Sequence, residues 1–306
     1  MTNWNVMRRK LALHDRARVI QSIRDFFMNR GFLEVETPFR IPAPAPESHI
    51  DAIDSAGWFL HTSPELCMKR LLAAGYERLF QICRCWRDGE RGERHLPEFT
   101  MLEWYRAEAG YGDLMADCEW LLQSVAEKLQ LNARVILGER EVPLRLPWER
   151  LTVREAFDRF ASVSMDEALA TDIFDEVMVR DIEPNLGWDS PVFLQDYPAE
   201  RGALARTRRD DPSVAERFEL YLGGIELANG FSELTDATEQ RARFEDEMAT
   251  RARLSRKTYP VPEKFLAELP AMPDSAGIAM GVDRLVMVLL NLPTIDDAVA
   301  FTPEEL

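Results

Sequence analysis

Two strand-forming runs separated by a charged stretch constrain the fold of this 306-residue chain more than any other feature. Residues 79–86 and 99–105 are rich in β-branched, aromatic and other apolar side chains, whereas RDGERGERHLPE between them is almost entirely polar or turn-forming. Consecutive strands joined by one loop pair antiparallel. The pattern therefore predicts a hairpin of two long strands with a large charged loop at one end of a sheet.

The rest of the chain mixes helical and strand-like patterns without a regular alternation of strand and helix. Helical spacing of apolar residues covers 15–29, 64–74, 113–129, 238–256 and 285–290, and strand-like runs cover 32–37, 192–194, 218–222 and 231–234. Residues 41–49 are proline-rich and predict a loop. Antiparallel strands interrupted by helices predict the α+β class. Because no linker divides the sequence, we expect a single domain over residues 1–306.

The charge balance, the apolar runs and the cysteine count of the sequence limit the kinds of ligand and compartment that we expect. The formal net charge is −16, from 53 acidic and 37 basic residues, which makes a nucleic acid an unfavoured ligand. No apolar run reaches the roughly 18 residues that a membrane span needs, and the first twenty residues lack the apolar core of a secretory signal. The four cysteines are too few and too irregular for a disulfide framework or a four-cysteine zinc site. We therefore expect a cytoplasmic protein with no membrane association.

Four segments place charged residues beside strand-forming ones, where burial is costly without a ligand. They are residues 62–65, 87–98, 219 with 226–233, and 283–284. Arginines in such segments favour an anionic ligand, and Glu219 and Glu226 could ligate Mg²⁺ around a polyphosphate. Singly, each of these residues is more often an ordinary solvated charge. The sequence has no Walker loop, Rossmann glycine pattern or Gly-x-Ser-x-Gly motif, so a nucleotide-using enzyme would need another scaffold.

Together these segments resemble the three motifs of class II aminoacyl-tRNA synthetases, and most closely the catalytic domain of lysyl-tRNA synthetase. The matching stretches are residues 31–38 (motif 1), 80–87 with 94–105 (motif 2), 277–285 (motif 3) and 224–236 (the lysine-specific strand). The resemblance implies an antiparallel β-sheet flanked by helices. It also implies a homodimer formed through motif 1 around Pro38.

One difference from lysyl-tRNA synthetases separates two branches of this family. Those enzymes carry an N-terminal OB-fold that reads the anticodon, whereas motif 1 begins here at Gly31, so we expect no anticodon-binding domain. A stand-alone core resembles the elongation factor P–lysine ligases, which use ATP and Mg²⁺ to adenylate a lysine analogue and attach it to a lysine of elongation factor P. Ala279 stands where lysyl-tRNA synthetases usually have glycine, a change that accompanies preference for (R)-β-lysine.

The resemblance also implies roles for individual residues. Arg87 would hold the α-phosphate and the amino-acid carboxylate, and Arg284 would lie against the γ-phosphate and adenine. Other nucleotide contacts would come from Asp88, Gly89, Arg94, His95, Glu226, Leu227 and Gly281, with Glu219 and Glu226 as Mg²⁺ ligands. The amino acid would be bound by Ser63, Glu65, Tyr105, Asn229, Glu233 and Ala279. In this set Glu65 would take the amino group near the carboxylate, and Tyr105 and Glu233 the distal ammonium.

Two departures from the family pattern affect ATP recognition. Gly89 stands where the family has a glutamate that touches adenine, although Glu90 follows directly and could take over that contact, and Leu96 replaces a common asparagine. One lost adenine contact weakens ATP binding by about 1–2 kcal/mol. Two other functions stay open: a truncated synthetase acting on tRNA, and a non-catalytic lysine-binding regulatory paralogue. The phosphate and metal groups, Arg87 and Glu226 among them, argue against the second.

Overall fold

The computed structural model describes residues 4–202 and 204–306. Its α-helices are α1 (Trp4–Arg8), α2 (Lys10–Met28), α3 (Glu65–Ala73), α4 (Tyr111–Lys128), α5 (Val153–Phe160), α6 (Met165–Ala170), α7 (Phe174–Val177), α8 (Ala237–Arg253), α9 (Glu263–Glu268) and α10 (Val282–Leu289). Its strands are β1 (Leu33–Glu34), β2 (Arg40–Ile41), β3 (Asp54–Ser55), β4 (Trp58–Leu60), β5 (Arg78–Trp86), β6 (Glu98–Ala107), β7 (Arg134–Leu137), β8 (Arg140–Pro143), β9 (Glu149–Thr152), β10 (Val192–Pro198), β11 (Val214–Leu222), β12 (Ile225–Ser232) and β13 (Ser275–Gly281).

Within this described part of the chain, eight strands form one sheet in the order β1-β5-β6-β13-β12-β11-β10-β9. The pairs from β5 across to β10 are antiparallel, as expected, and the predicted hairpin is the β5–β6 pair. Each edge differs from the expectation, because β1 runs parallel to β5 and β9 runs parallel to β10. Parallel neighbours need a long crossover, and α5 to α7 supply one between β9 and β10. The predicted α+β class is confirmed.

The two faces of the sheet carry different chemistry because side chains alternate along each strand. On β6, Leu102 and Trp104 enter a core shared with α2, α4 and α10. Glu103 and Tyr105 point to the opposite face, towards a cavity. Helices α3, α8 and α9 pack on this second face, and Glu65 at the start of α3 is part of the cavity lining. The sheet thus separates a closed apolar core from a polar site.

Two central strands of the large sheet were mispredicted because their composition is poor in β-formers, and the short strands β2, β3, β4 and β9 were not predicted. The strand predicted at 231–234 runs instead over β12, and β13 was not predicted as a strand. Both contain glycines that the packing requires. A Cβ at Gly230 would lie 2.8 Å from the ring of Phe218, and one at Gly277 would overlap Tyr105. Close approach of neighbouring groups, and not strand propensity, selects these residues.

The remaining predictions agree with the structure in kind and differ at the boundaries. The strand predicted at 32–37 is only β1, and the helix predicted from residue 15 begins at Lys10. Across residues 4–202 and 204–306, no helix combines the length and apolar character that crossing a bilayer requires.

Candidate active site

A cavity of about 220 Å³ opens over β6, β12 and β13. Most of the predicted site residues line it: Ser63, Glu65, Arg87, Arg94, His95, Tyr105, Glu226, Leu227, Asn229, Ala279, Gly281 and Arg284. The predicted residues Asp88, Gly89, Glu219 and Glu233 are not part of its lining. The fold therefore gathers most of the predicted set from across the chain. Of the four exceptions, Asp88 and Gly89 are exposed on the loop after β5, and Glu219 and Glu233 are buried.

Arg284, in the first turn of α10, joins three elements at one end of the cavity. Its Nη1 donates to the backbone oxygen of Glu226 at 3.0 Å and to the Glu226 carboxylate at 3.1 Å, and its Nε donates to the backbone oxygen of Arg94 at 3.2 Å. Its Nη2 also contacts Nε2 of His95. Burial and the adjacent Arg284 charge lower the pKa of His95. His95 is therefore neutral at pH 7, and Nε2 accepts from Arg284.

Arg87 follows β5 directly and has few partners of its own. Its Nε is buried with no hydrogen-bond partner in the described residues, and its closest carboxylate, on Glu90, is 4.0 Å away. The guanidinium lies 5.2 Å from the centre of the Phe99 ring. A guanidinium held this way in a cavity has donors left for an anion, and its planar fork suits a carboxylate or a phosphate.

The turn after Arg87 accounts for the glycine that departs from the family pattern. Gly89 has φ +75°, a conformation that side-chain-bearing residues rarely adopt. Asp88 is exposed, and its backbone N–H donates to the backbone oxygen of Asp51 at 2.7 Å. Glu90, the next residue, lines the cavity. Glu90 is therefore in the position from which the sequence analysis expected it to replace the missing glutamate.

A buried carboxylate that the sequence analysis did not single out, Glu103, forms the middle of the cavity floor. Oε1 accepts from Ser63 at 2.6 Å, and Oε2 accepts from the hydroxyl of Tyr105 at 2.8 Å. Burial raises the pKa of Glu103 well above its usual range, and the negative charge of Glu65 adds to the effect. A carboxyl in this state gains from a bound cation, because the cation restores its ionised form.

Behind this floor, Lys69 lies between two carboxylates. It forms an ion pair with Glu65 and another with Glu233, at 2.5 Å from Oε2. Lys69 and Glu233 are fully buried. The predicted arrangement put a substrate ammonium directly against Tyr105 and Glu233, whereas here Glu233 already has a cationic partner and the Tyr105 hydroxyl is bonded to Glu103. The predicted contact between Glu233 and a ligand stays a prediction.

Three buried or half-buried glutamates, Glu65, Glu103 and Glu233, outnumber the cation that lies among them, Lys69, and this excess predicts that ligand binding depends on pH. Burial raises the pKa of Glu233 to about 8, with Glu65 raising it and Lys69 lowering it. An ammonium ligand favours ionised Glu233, so binding below pH 8 must release a proton, and affinity rises with pH until Glu233 is ionised. We expect the affinity for a lysine-type amino acid to increase about fivefold between pH 7 and pH 8.

Calorimetry in buffers of different ionisation enthalpy measures this proton release directly. Glu233→Gln should bind more weakly and lose most of the pH dependence, and Glu245→Gln on the exposed side of α8 is the control. An affinity that falls from pH 7 to pH 8 would contradict the assignment.

Three carboxylates lie near the Arg284 end of the cavity. Glu219 accepts from Arg217, Tyr197 and Tyr221, at 2.6, 2.7 and 2.6 Å. Burial together with the charges of Glu219 and Glu226 raises the pKa of Glu183 to about 7. A bound cation would relieve the repulsion among these three carboxylates. Carboxylate oxygens are hard ligands, which Mg²⁺ prefers. Glu226 lines the cavity, and the Glu219 carboxylate, with about one acceptor position left, stands behind it.

A second group of potential ligands consists of two cysteines on β5 and the histidine that follows β4. His61, Cys83 and Cys85 have donor atoms within 4.8 Å of one another. Nε2 of His61 already bonds the backbone oxygen of Arg84 at 2.7 Å. None of the three lines the cavity. As the sequence analysis expected, both cysteine side chains share one face of the strand.

The structure adds to the candidate site four residues that the sequence did not single out, Glu47, Lys69, Glu103 and Glu183. Glu103 had a signal, because it alternates with Tyr105 in an otherwise apolar strand. Lys69 had a weaker one, four residues after Glu65 on a helix. Glu47 and Glu183 had none, since their surroundings are set by loops that only the folded chain brings together.

Comparison with known proteins agrees with this geometry. The family of tRNA synthetases class II (D, K and N) matches residues 4–305. The chain is 39% identical to the elongation factor P–(R)-beta-lysine ligase of Pectobacterium carotovorum subsp. carotovorum (strain PC1), over 99% of this chain and 98% of that protein. It is 41% identical to the ligase of the same name from Sodalis glossinidius (strain morsitans), over 94% of each. For the one from Salmonella typhi the identity is 39%, over 94% and 93%.

Proposed function

We propose that this chain, which belongs to the elongation factor P–(R)-beta-lysine ligase family on the class II synthetase fold, activates a lysine with ATP and transfers it to a lysine of elongation factor P. It is an ATP-dependent ligase of the class II synthetase type. The observation that carries the proposal is the cavity itself, which has arginines at one end and an excess of buried carboxylates at the other. Such a cavity suits a molecule that is anionic at one end and doubly cationic elsewhere.

In the adenylation step, the amino-acid carboxylate attacks the α-phosphorus of ATP and pyrophosphate leaves. No general base is needed, because the attacking carboxylate is ionised at neutral pH. The free donors of Arg87 support its role in holding that carboxylate and the α-phosphate, where negative charge builds up in the transition state. Arg284 and neutral His95, which contact each other, would bind the ATP phosphates at their end of the cavity. Arg94 and Gly281 line the same region.

Mg²⁺ would be held by Glu226 with Glu219 behind it. When bound, it would neutralise phosphate charge and orient the leaving pyrophosphate. The hydrogen bonds from Tyr197, Tyr221 and Arg217 keep Glu219 in one orientation. These three residues would therefore position the metal-binding carboxylate without contacting the nucleotide.

Selection of a diamine-type amino acid rests on the carboxylates at the other end. Glu65 and Glu233 pair with one permanent cation, Lys69, whereas Glu103 accepts from the hydroxyls of Ser63 and Tyr105. If all three glutamates are ionised, the group has a deficit of positive charge that two substrate ammonium groups would fill. A monoamine would leave at least one buried carboxyl protonated or unpaired, which costs binding free energy.

Ala279 supports the β-amino acid as the preferred isomer. Its Cα is paired with Asn229 on β12 and with Glu103 on β6, in the centre of the cavity floor. The methyl group of Ala279 takes up space between the residues that would hold the carboxylate end of the amino acid. A β-lysine carries its amino group one carbon further from the carboxylate and would avoid this methyl.

Elongation factor P as target and a homodimer around Pro38 are further parts of the proposal. The acidic net charge supports a protein target over tRNA. Leu33, on the edge strand β1, and Phe39, directly after Pro38, are exposed apolar side chains. Such side chains support a protein interface there.

Mass spectrometry of elongation factor P tests the proposed function. After incubation with ATP, Mg²⁺ and (R)-β-lysine, we expect the mass of elongation factor P to increase by one lysine residue, faster than with α-lysine. An elongation factor P whose acceptor lysine is replaced by arginine is the control and should stay unmodified. Labelling of total tRNA in place of elongation factor P would overturn the proposal.

A further inference from the structure

A second cavity adjoins the candidate active site. It has a volume of about 280 Å³ and lies between the proline-rich loop at residues 42–50, the turn at Ala199–Arg201 and α8. Its acidic lining consists of Glu47, Glu200, Asp246 and Glu247. Arg243 is its only lining base among the described residues, and it donates to Glu239 and to the backbone oxygen of Ala205. The cavity therefore attracts a cation.

Glu47 is the residue that lines both cavities. Its carboxylate makes no hydrogen bond or ion pair with any residue in the described part of the chain, although it is half-buried. Burial raises the pKa of Glu47 to about 7. The charges of Glu65 and Glu247 add to this shift, and the charges of Arg87 and Arg217 oppose it. Glu47 thus has a free carboxyl that can exchange a proton near neutral pH.

The backbone around Glu47 is fixed, so its side chain stays at the junction. The fully buried Arg251 on α8 donates to the backbone oxygens of Glu47 and Ile50, at 2.6 and 2.8 Å. The backbone N–H of Ser48 donates to Glu247 at 2.7 Å. A polar group held rigidly between two cavities suits a proton transfer between molecules that enter from different sides.

We propose that the second cavity admits the acceptor amine and that Glu47 is the general base that deprotonates it. The inference rests on the proposed function, in which a primary ammonium on a flexible side chain must reach the adenylate formed beside Arg87. That ammonium is a cation, which fits the acidic lining. Glu47 meets both the incoming amine and the carboxylate end of the amino acid, where the new bond forms.

The step balances without a further reactant. Glu47 takes one proton from the acceptor –NH₃⁺, and the freed lone pair forms the N–C bond to the carbonyl carbon of the adenylate. The C–O bond to the phosphate then breaks, and AMP leaves with that electron pair. The second nitrogen proton passes to the departing phosphate and then to water. Glu47 returns its proton to solvent through the second cavity.

Single-turnover transfer from preformed adenylate tests the inference. Glu47→Gln should slow transfer to elongation factor P by at least about a hundredfold, with a much smaller change in pyrophosphate exchange. Wild-type transfer should rise with pH and level off above about pH 7. In Glu47→Gln the rate should instead keep rising with the fraction of free amine, and Glu47→Asp should recover part of the plateau. Glu245→Gln, at an exposed glutamate on α8 outside both cavities, is the matched control.

A small primary amine, Nα-acetyl-lysine methylamide, separates this inference from the proposed target. If the wild type aminoacylates this amine in a Glu47-dependent way but leaves elongation factor P unmodified, the target is wrong and the role of Glu47 stands. Transfer by Glu47→Gln within about threefold of wild type, with the same pH profile, overturns the role of Glu47. So does a wild type that forms adenylate yet aminoacylates neither acceptor. Thermal melting of each variant shows whether it is folded.

Discussion

Arg87→Ala is expected to lower amino-acid-dependent pyrophosphate exchange by about a thousandfold. The guanidinium would neutralise the charge that develops as carboxylate attacks phosphorus, and no other cation in the described cavity lining has buried donors without a protein partner. The fold should survive, because Arg87 makes one loose ion pair, at 4.0 Å, and one aromatic contact. Exposed and half-exposed contacts of this kind contribute at most about 1 kcal/mol.

Arg91→Ala is the matched control for this variant. Arg91 lies four residues further along the same charged loop but outside the cavity, where it pairs with Asp296 and Glu304 at 2.9 Å. The pyrophosphate exchange rate of Arg91→Ala should stay within about threefold of wild type, because Arg91 forms only surface ion pairs. An Arg87→Ala variant that keeps more than a tenth of wild-type exchange would show that Arg87 does not hold the reacting groups.

Gly277→Ala is expected to reduce kcat/KM for the amino acid about a hundredfold. A Cβ at this position would overlap the Tyr105 ring and Oε1 of Glu233. The surroundings must shift, because the neighbours are held by the pair with Lys69 and the bond to Glu103. Overpacking of this kind costs about 1–3 kcal/mol of stability. The KM for ATP should change by less than about threefold.

Gly112→Ala, in the first turn of α4, is the control for steric and conformational effects of the substitution. A Cβ there would meet nothing within 4 Å. Steady-state exchange at varied amino acid and varied ATP separates the two substrates. If Gly277→Ala raised the KM for ATP more than that for the amino acid, the division of the cavity into an amino-acid end and a phosphate end would be wrong.

Sequence reasoning located the parts of the site that local patterns define. Arg87 and Tyr105 belong to a hairpin whose strands are continuous and whose loop is charged, so alternation and spacing place them near one face. Arg284 directly precedes the apolar stretch at 285–290 that was predicted as a helix. These positions follow from features within a few residues of each, which is why the pattern of motifs could be matched.

The surroundings of Glu233 and Glu47 were beyond such reasoning. The pairing of Lys69 with Glu233 joins a helix and a strand that are far apart in sequence. Glu47 lies in a loop with no regular structure, fixed by Arg251 from 204 residues away. Side-chain partners across such distances depend on the packing of whole elements, which neither residue propensity nor spacing encodes.

The strand order has a consequence for biosynthesis. β13, the last strand in the chain, lies in the middle of the sheet between β6 and β12, and α10 follows it with Arg284. A nascent chain therefore holds two half-sheets with unpaired inner edges until residues 275–281 leave the ribosome. Insertion of that strand joins the halves and brings Arg284 to His95, 189 residues earlier. The candidate active site is therefore complete only after β13 and α10 have been synthesised, and a chain terminated before β13 is expected to have exposed strand edges and no ligase activity.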